Sequence, residues 1–204
     1  AELEKRGEAD VVDQMIFIGT PHIGTPKAIA TILHGYDQAK DFMGIPVIQS
    51  EVAREVINNM PGAYGLLPTP AYFSAVSEPI VTIDNATATE ALFAAYGSTI
   101  SNYQEFTTFL SGQDNLNRSL NQSTSIPATI NTALYQKALQ EHIDLLDAWQ
   151  APDSIKVTQI VGVGLPTVDR LLYREIEQEK CISAGPAGVV CGINKLLKPF
   201  AQLS

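Results

Sequence analysis

The sequence has little positive charge, few cysteines and no long apolar run. Its 204 residues include 13 Lys plus Arg against 22 Asp plus Glu, for a formal net charge of -9. Basic side chains neutralise phosphates, so this balance predicts no nucleic-acid partner. No apolar run approaches the roughly 20 residues that a membrane-spanning helix needs. The N-terminal AELEKRGEAD is a charged helical stretch that lacks the apolar core of a signal peptide, so it is expected to carry no targeting signal.

The chain has two cysteines, Cys181 and Cys191, and three histidines, His22, His34 and His142. Neither a C-x-x-C motif nor a Cys/His cluster is present, so no metal site is predicted. The cysteines form a local disulfide if the protein is secreted and are otherwise two free thiols. The sequence leaves both states open.

A nucleotide cofactor is also not expected. Gly162-x-Gly164 follows a predicted strand, but the third glycine of a dinucleotide loop is misplaced, and Pro166-Thr167 stands where a helix should begin. We therefore predict that the protein uses no cofactor.

A serine-nucleophile motif is absent as well. No G-x-S-x-G elbow occurs in the 204 residues. A chain of 45% hydrophobic residues is nevertheless expected to bury a substantial core.

The clearest local pattern is MIFIGTPHIGTP at residues 15–26. A short apolar run ended by glycine is typical of a strand covered on both faces of a parallel sheet, here about 11–19. The two prolines and two glycines after it predict a sharp, rigid turn. Apolar residues at helical spacing then predict a helix over about 26–35.

The region from 36 to 152 reads as mainly helical, with frequent Pro, Gly, Asn and Ser between the segments. Helices are predicted at about 51–59, 88–96, 101–110 and 127–149, and the polar segment 111–125 reads as an exposed or mobile loop. A second strand, about 155–164, alternates and is rich in β-branched residues.

Near the C-terminus, four apolar residues recur with helical spacing: Ile193, Leu196, Leu197 and Phe200. The spacing predicts a short amphipathic helix. Packing against the core is the favoured interpretation, and contact with a lipid surface is the other.

Three stretches resemble, in the correct order, the α/β-hydrolase lipases of the lecithin:cholesterol acyltransferase family. They are VDQMIFIGTPHIGTPKA, MPGAYGLLPTPAYF and IKVTQIVGVGLPTVDRLLY. The resemblance implies a partial α/β-hydrolase core with two visible parallel strands and a large, mainly helical cap insertion. It divides the chain into core residues 1–35, cap or lid residues 36–152 and core residues 153–204.

That family catalyses acyl transfer with a Ser, an Asp and a His. By the resemblance, all three lie outside these 204 residues, and neither Asp169 nor His142 is assigned to the triad. The chain is then expected to be an inactive internal portion of a lipase, esterase or acyltransferase. A non-catalytic binding module and one product of a cleaved precursor are the alternatives.

The resemblance also indicates where a substrate would lie. Residues expected to contact an acyl chain are Tyr64, Leu66, Leu67, Tyr72 and Phe73, although core packing explains the same residues. The expected active-site loop consists of Thr20, Pro21, His22 and Gly24. His22 is expected to orient this loop rather than to catalyse.

The predicted partner is an acyl ester or lipid, with transient contact at a lipid surface and self-association through open strand edges as further expectations. An extracytoplasmic or secreted location is favoured.

Overall fold

The computed structural model describes residues 1–42, 45–164, 166–183 and 189–203. The helices are α1 Glu2–Lys5, α2 Pro26–His34, α3 Ser50–Asn58, α4 Pro61–Tyr64, α5 Pro70–Ala75, α6 Glu90–Tyr96, α7 Tyr103–Ser111 and α8 Thr132–Glu141, with a 3-10 turn at Ala9–Val11 and a π-helical turn at His142–Leu146. The strands are β1 Gln14–Ile18, β2 Lys40–Phe42, β3 Ile45–Ile48, β4 Val81–Ile83, β5 Thr99–Ile100, β6 Lys156–Ile160, β7 Val168–Ser183 and β8 Val189–Leu203. The fold is mixed α/β, as predicted.

The two strands predicted from sequence pair with each other. β1 and β6 are parallel, with Met15 opposite Val157 and Ile18 opposite Ile160. They belong to a two-stranded sheet, and both strands are a few residues shorter than predicted. Residues far apart in sequence thus form one small parallel sheet.

Strand β1 leads into α2 through the predicted turn. Thr25 precedes the helix in an extended conformation, and Pro26 occupies the first helical turn, where its missing N–H costs nothing. Ile29 and Leu33 are fully buried on the inner face. The predicted strand, turn and helix are therefore present.

A second sheet was not predicted. Its order is β5-β4-β7-β8, with β4 parallel to β7 and antiparallel to β5. Val81 lies opposite Leu171, and both are fully buried. This sheet joins strands from 36–152 to strands from 153–204. The division into core and cap segments stays a prediction.

The amphipathic helix predicted over residues 193–200 is wrong. Those residues belong to β8, a 15-residue strand that pairs antiparallel with β7. Long-range pairing overrides the local spacing, and Pro199 is tolerated because β8 lies at the sheet edge. The register places Cys181 opposite Cys191. The state of their thiols lies outside the side chains that the structure describes.

The helix predicted over 127–149 is shorter than expected. Residues 127–131 are not helical, because their backbone bonds to other segments: Ala128 N–H donates to Leu33 O, and Ile130 N–H donates to Leu110 O. Asn131 then caps α8 by accepting from Leu134 N–H. The π-helical turn follows α8 directly.

The polar segment 111–125 is not simply an exposed loop. Asp114 and Arg118 form a fully buried ion pair, with Oδ2 and Nη1 2.7 Å apart. Arg118 also donates to the carbonyls of Phe109 and Pro127. Buried hydrogen bonds therefore hold this segment in place.

His34, at the end of α2, is buried in the same region. Its Nδ1 is 2.5 Å from Thr124 O, and its Nε2 is 2.7 Å from the Tyr173 hydroxyl. A carbonyl only accepts, so Nδ1 carries the proton and Nε2 accepts from the tyrosine. Burial of this neutral ring lowers the pKa of His34 to about 3.

Acidification is expected to destabilise the fold through His34. Between its ordinary pKa of about 6.5 and its folded value of about 3, the unfolded state binds a proton that the folded state excludes. The free energy of unfolding should therefore fall as pH is lowered through this window. Urea titrations at several pH values give the free energy of unfolding as a function of pH. This free energy should depend less steeply on pH in His34→Gln than in the wild type. A His22→Gln variant is the control for removal of an exposed histidine. If His34→Gln has the same dependence of unfolding free energy on pH as the wild type, the prediction is contradicted.

Candidate functional site

The turn after β1 is tight and internally bonded. Gly19 and Gly24 have φ angles of +57° and +95°, the left-handed region that glycine adopts readily. His22 N–H donates to Thr20 O at 3.0 Å, and Gly24 N–H donates to Pro21 O at 3.1 Å. The predicted active-site loop is therefore a compact structure.

This turn lies against the segment that follows α4. Thr25 N–H donates to Leu66 O at 2.9 Å, and Thr69 N–H donates to Ile23 O at 3.2 Å. A Cβ on Gly24 would lie 2.4 Å from Leu67 O, so only glycine permits this approach. Two stretches that are about 40 residues apart in sequence thus form one unit, which we call the paired loops (residues 20–25 and 65–69).

His142 joins the paired loops to the π-helical turn. Its Nε2 lies 2.8 Å from Gly65 O, and its Nδ1 lies 3.2 Å from Asp147 Oδ1. The imidazole is buried. The chain after α8 is therefore fixed to the loop that contacts the turn.

A cavity of about 440 Å³ lies between the small parallel sheet and the π-helical turn. Met15, Phe17 and Val157 line it from the sheet, and Leu146 and Trp149 line it from the chain after α8. Its size is within the range of small-molecule sites. We call it the sheet cavity, and its other lining residues are Ala1, His22, Ile23, Leu145, Asp147, Ala151 and Gln159.

The sheet cavity is mainly apolar and has few polar groups. His22, from the turn, contacts the Phe17 ring edge-to-face with ring centroids 4.5 Å apart. Asp147 and Gln159 supply a carboxylate and an amide. Trp149 donates its indole N–H to Glu4 Oε2 at 2.8 Å, which orients the ring. An apolar space with a few polar groups suits an amphiphilic ligand.

The five predicted acyl-contact residues are not among those lining the sheet cavity. Tyr64, Leu67 and Tyr72 are buried in the main core. The Tyr64 hydroxyl donates to Asn58 O and accepts from Asn131 N–H. Their role in acyl binding stays a prediction.

Phe73 and Leu66 differ from those three. Phe73 packs on the core, with its ring centroid 5.3 Å from that of Phe106. Leu66 is 44% exposed and lines a separate, smaller cavity of about 290 Å³ beside α2. Of the five residues, Leu66 is the one most accessible to a ligand.

Sequence reasoning missed the cavity wall formed by the chain after α8. Leu146 and Trp149 were visible as part of an apolar helical stripe, which most often indicates core packing. Nothing in the local pattern indicated that β1 and β6 would face them.

The histidines of the described chain do not form a serine–histidine pair. His34 bonds to Thr124 O and Tyr173, and His142 bonds to Gly65 O and Asp147. Within the described residues, no group of three or more His, Cys, Asp or Glu side chains could hold a metal ion. Over the same residues, no helix has the length and apolarity to cross a membrane.

Comparison with known families identifies the family of the chain. The family model described as lecithin:cholesterol acyltransferase matches residues 3–184. The chain therefore belongs to that family, whose members act on lipids as acyltransferases or lipase-like hydrolases. No curated protein and no solved structure gives a significant match.

Proposed function

We propose that this chain is the acyl-ester-binding portion of a serine hydrolase, a lipase, esterase or acyltransferase. In this proposal, residues 36–152 are the cap over the acyl pocket, and residues outside these 204 supply the catalytic Ser, Asp and His. The parent enzyme transfers an acyl group through an acyl-enzyme, to water or to another acceptor. The chain alone is catalytically inactive.

The sheet cavity beside the turn carries this proposal. It begins on strand β1, and His22 of the turn at the carboxyl end of that strand contributes to its lining. Ligands of α/β sheets bind at the carboxyl ends of the strands. Its apolar walls match an acyl chain, and its few polar groups match the ester end.

The open face of the small sheet supports the view that further core elements complete the fold. Parallel sheets are normally covered on both faces. Ile16 and Ile18 of β1 and Ile160 of β6 are half-exposed or more, and Ile18 is 71% exposed. Open apolar strands of this kind also support the proposed tendency to self-associate.

A non-catalytic binding module is the second candidate. The specific observation in its favour is a formed cavity in a part of the chain whose described histidines bond to no serine hydroxyl. It predicts the same ligand but no parent reaction.

Binding can be measured with the single tryptophan of the chain, because Trp149 lines the sheet cavity. A bromine-labelled long-chain acyl ester, kept below its critical micelle concentration, is expected to quench its fluorescence saturably. Val157→Phe should weaken binding about tenfold by filling the cavity. Val163→Phe is the matched control, since Val163 is 90% exposed and does not line the cavity. Equal affinity in both variants would contradict the cavity assignment.

The inactivity of the isolated chain is tested with a fluorophosphonate probe and intact mass measurement. We expect the mass to stay near 22.0 kDa without an adduct. An adduct would mean that an activated serine lies in this chain and would overturn that part of the proposal.

A further inference from the structure

His142 connects the cavity wall after α8 to the paired loops beside the sheet cavity. Gly65, whose carbonyl accepts from Nε2, is the first residue of the 65–69 loop that bonds to the turn, and Asp147, which faces Nδ1, lines the cavity itself. The ring is only 5% exposed. One imidazole therefore fixes both the position of a cavity carboxylate and the backbone of the paired loops.

Both partners of this ring are hydrogen-bond acceptors. A carbonyl oxygen only accepts, and an ionised carboxylate only accepts. Both contacts are therefore satisfied only when Nδ1 and Nε2 each carry a proton. A neutral ring that keeps its bond to Gly65 turns a lone pair toward Asp147 Oδ1 at 3.2 Å, which is repulsive.

His34 shows the opposite arrangement in the same molecule. One of its partners, the Tyr173 hydroxyl, can donate, so a neutral ring satisfies both contacts. The difference between the two sites is therefore the chemistry of the second partner and not burial, since both rings are buried.

Other charged and titratable groups surround the His142 site. Glu141 and Asp144 are exposed residues of the same helical segment, and α1 brings Lys5, whose Nζ donates to Asp144 O at 3.3 Å. The Tyr103 phenol of α7 lies close enough for the Asp147 charge to help raise its pKa, after the larger effect of burial. From α4, Tyr64 contributes a phenol whose pKa burial raises.

We propose that His142 is a proton-dependent positioning residue of the sheet cavity. With both nitrogens protonated it holds Asp147 and the paired loops together, and the cavity keeps its binding shape. When the ring loses a proton, the contact with Asp147 is lost and the wall after α8 loosens. The inference rests on the proposed function for its ligand, an acyl ester, but not for the chemistry of the pair.

Tryptophan quenching by the bromine-labelled acyl ester tests this on the 204-residue chain. Measurements at about pH 5.5 and about pH 8 lie on either side of the range in which imidazoles titrate. Wild-type affinity should be about tenfold or more lower at the higher pH, the loss expected for one charge-assisted hydrogen bond.

Asp147→Asn is the decisive variant, because an amide can donate to a neutral ring. It should abolish most of the pH dependence and keep tight binding at the higher pH. His142→Gln should also flatten the profile. Asp144→Asn is the matched control: it removes an exposed carboxylate that accepts from Gln140 and should keep the wild-type profile.

Nitrogen NMR of the histidine rings separates the two proposals. In the wild type, both His142 nitrogens should carry protons at the lower pH, and Asp147→Asn should favour the neutral ring. If no quenching occurs at any pH but the NMR result holds, the acyl-cavity function fails and the His142–Asp147 chemistry stands. Binding of the ester with the same pH profile in the wild type and Asp147→Asn would overturn the positioning role alone.

Discussion

Replacing Arg54 with methionine is expected to lower the free energy of unfolding by about 3 kcal/mol or more, because it removes several buried hydrogen bonds to a charged group, each of which contributes about 1.5 to 3 kcal/mol. Arg54 lies on α3 and is 0% exposed. Its guanidinium donates to four backbone carbonyls, those of Leu120, Gln122, Ser123 and Ile126. Methionine fills similar space but donates nothing, so these carbonyls lose their buried donor.

The measurement is urea denaturation followed by circular dichroism. Lys27→Met is the matched control, because Lys27 forms an exposed ion pair with Asp37 at 2.8 Å. Exposed pairs contribute about 0 to 1 kcal/mol. The loss of stability in Arg54→Lys should fall between the losses in these two variants, since a compact ammonium lacks the planar fork with which the guanidinium donates to four carbonyls. A loss for Arg54→Met no larger than that for Lys27→Met would contradict the prediction.

Arg54 also shows why the segment 111–125 was misjudged from sequence. Its Ser, Asn, Gln and Asp residues read as solvated, and polar loops usually are. Two cationic side chains hold this segment in place. Arg54 belongs to α3, and Arg118 lies within the segment itself. Composition reports the polarity of a segment and does not report whether a buried cation satisfies its carbonyls.

Local pattern predicted the elements whose signals are local. The strand was predicted from the apolar run at 15–18, and the turn from its prolines and glycines. The helix was predicted from the spacing of Ile29, Ile32 and Leu33. The second sheet could not be found in this way. β4 and β5 have three and two residues, and their pairing depends on β7 about 90 residues later.

The site was predictable to a similar extent. The turn could be found because proline and glycine specify backbone geometry directly. The sheet cavity could not, because its walls come from residues near 15, near 22 and near 146–157, and only the tertiary fold brings these together. The resemblance to the family indicated the two loops that pair and did not indicate the wall after α8.

Replacing Gly24 with alanine should lower the free energy of unfolding by about 3 kcal/mol or more, the second large effect that we expect. Alanine at a φ of +95° costs about 1 to 2 kcal/mol from backbone strain alone. In addition, its Cβ would lie 2.4 Å from Leu67 O, which is backbone and cannot rotate away. The paired loops must separate, which weakens the bonds from Thr25 N–H to Leu66 O and from Thr69 N–H to Ile23 O.

Gly19→Ala isolates the close approach from the backbone strain. Gly19 has a φ of +57° in the same turn, but a Cβ there would meet nothing within 4 Å. Gly19→Ala should therefore lower the free energy of unfolding by about 1 to 2 kcal/mol, the contribution of backbone strain alone. The excess loss in Gly24→Ala then measures the contact between the paired loops. Because that contact borders the sheet cavity, acyl-ester quenching of Trp149 should weaken in Gly24→Ala and not in Gly19→Ala. Equal losses of stability in the two variants would mean that the contact between the loops contributes nothing.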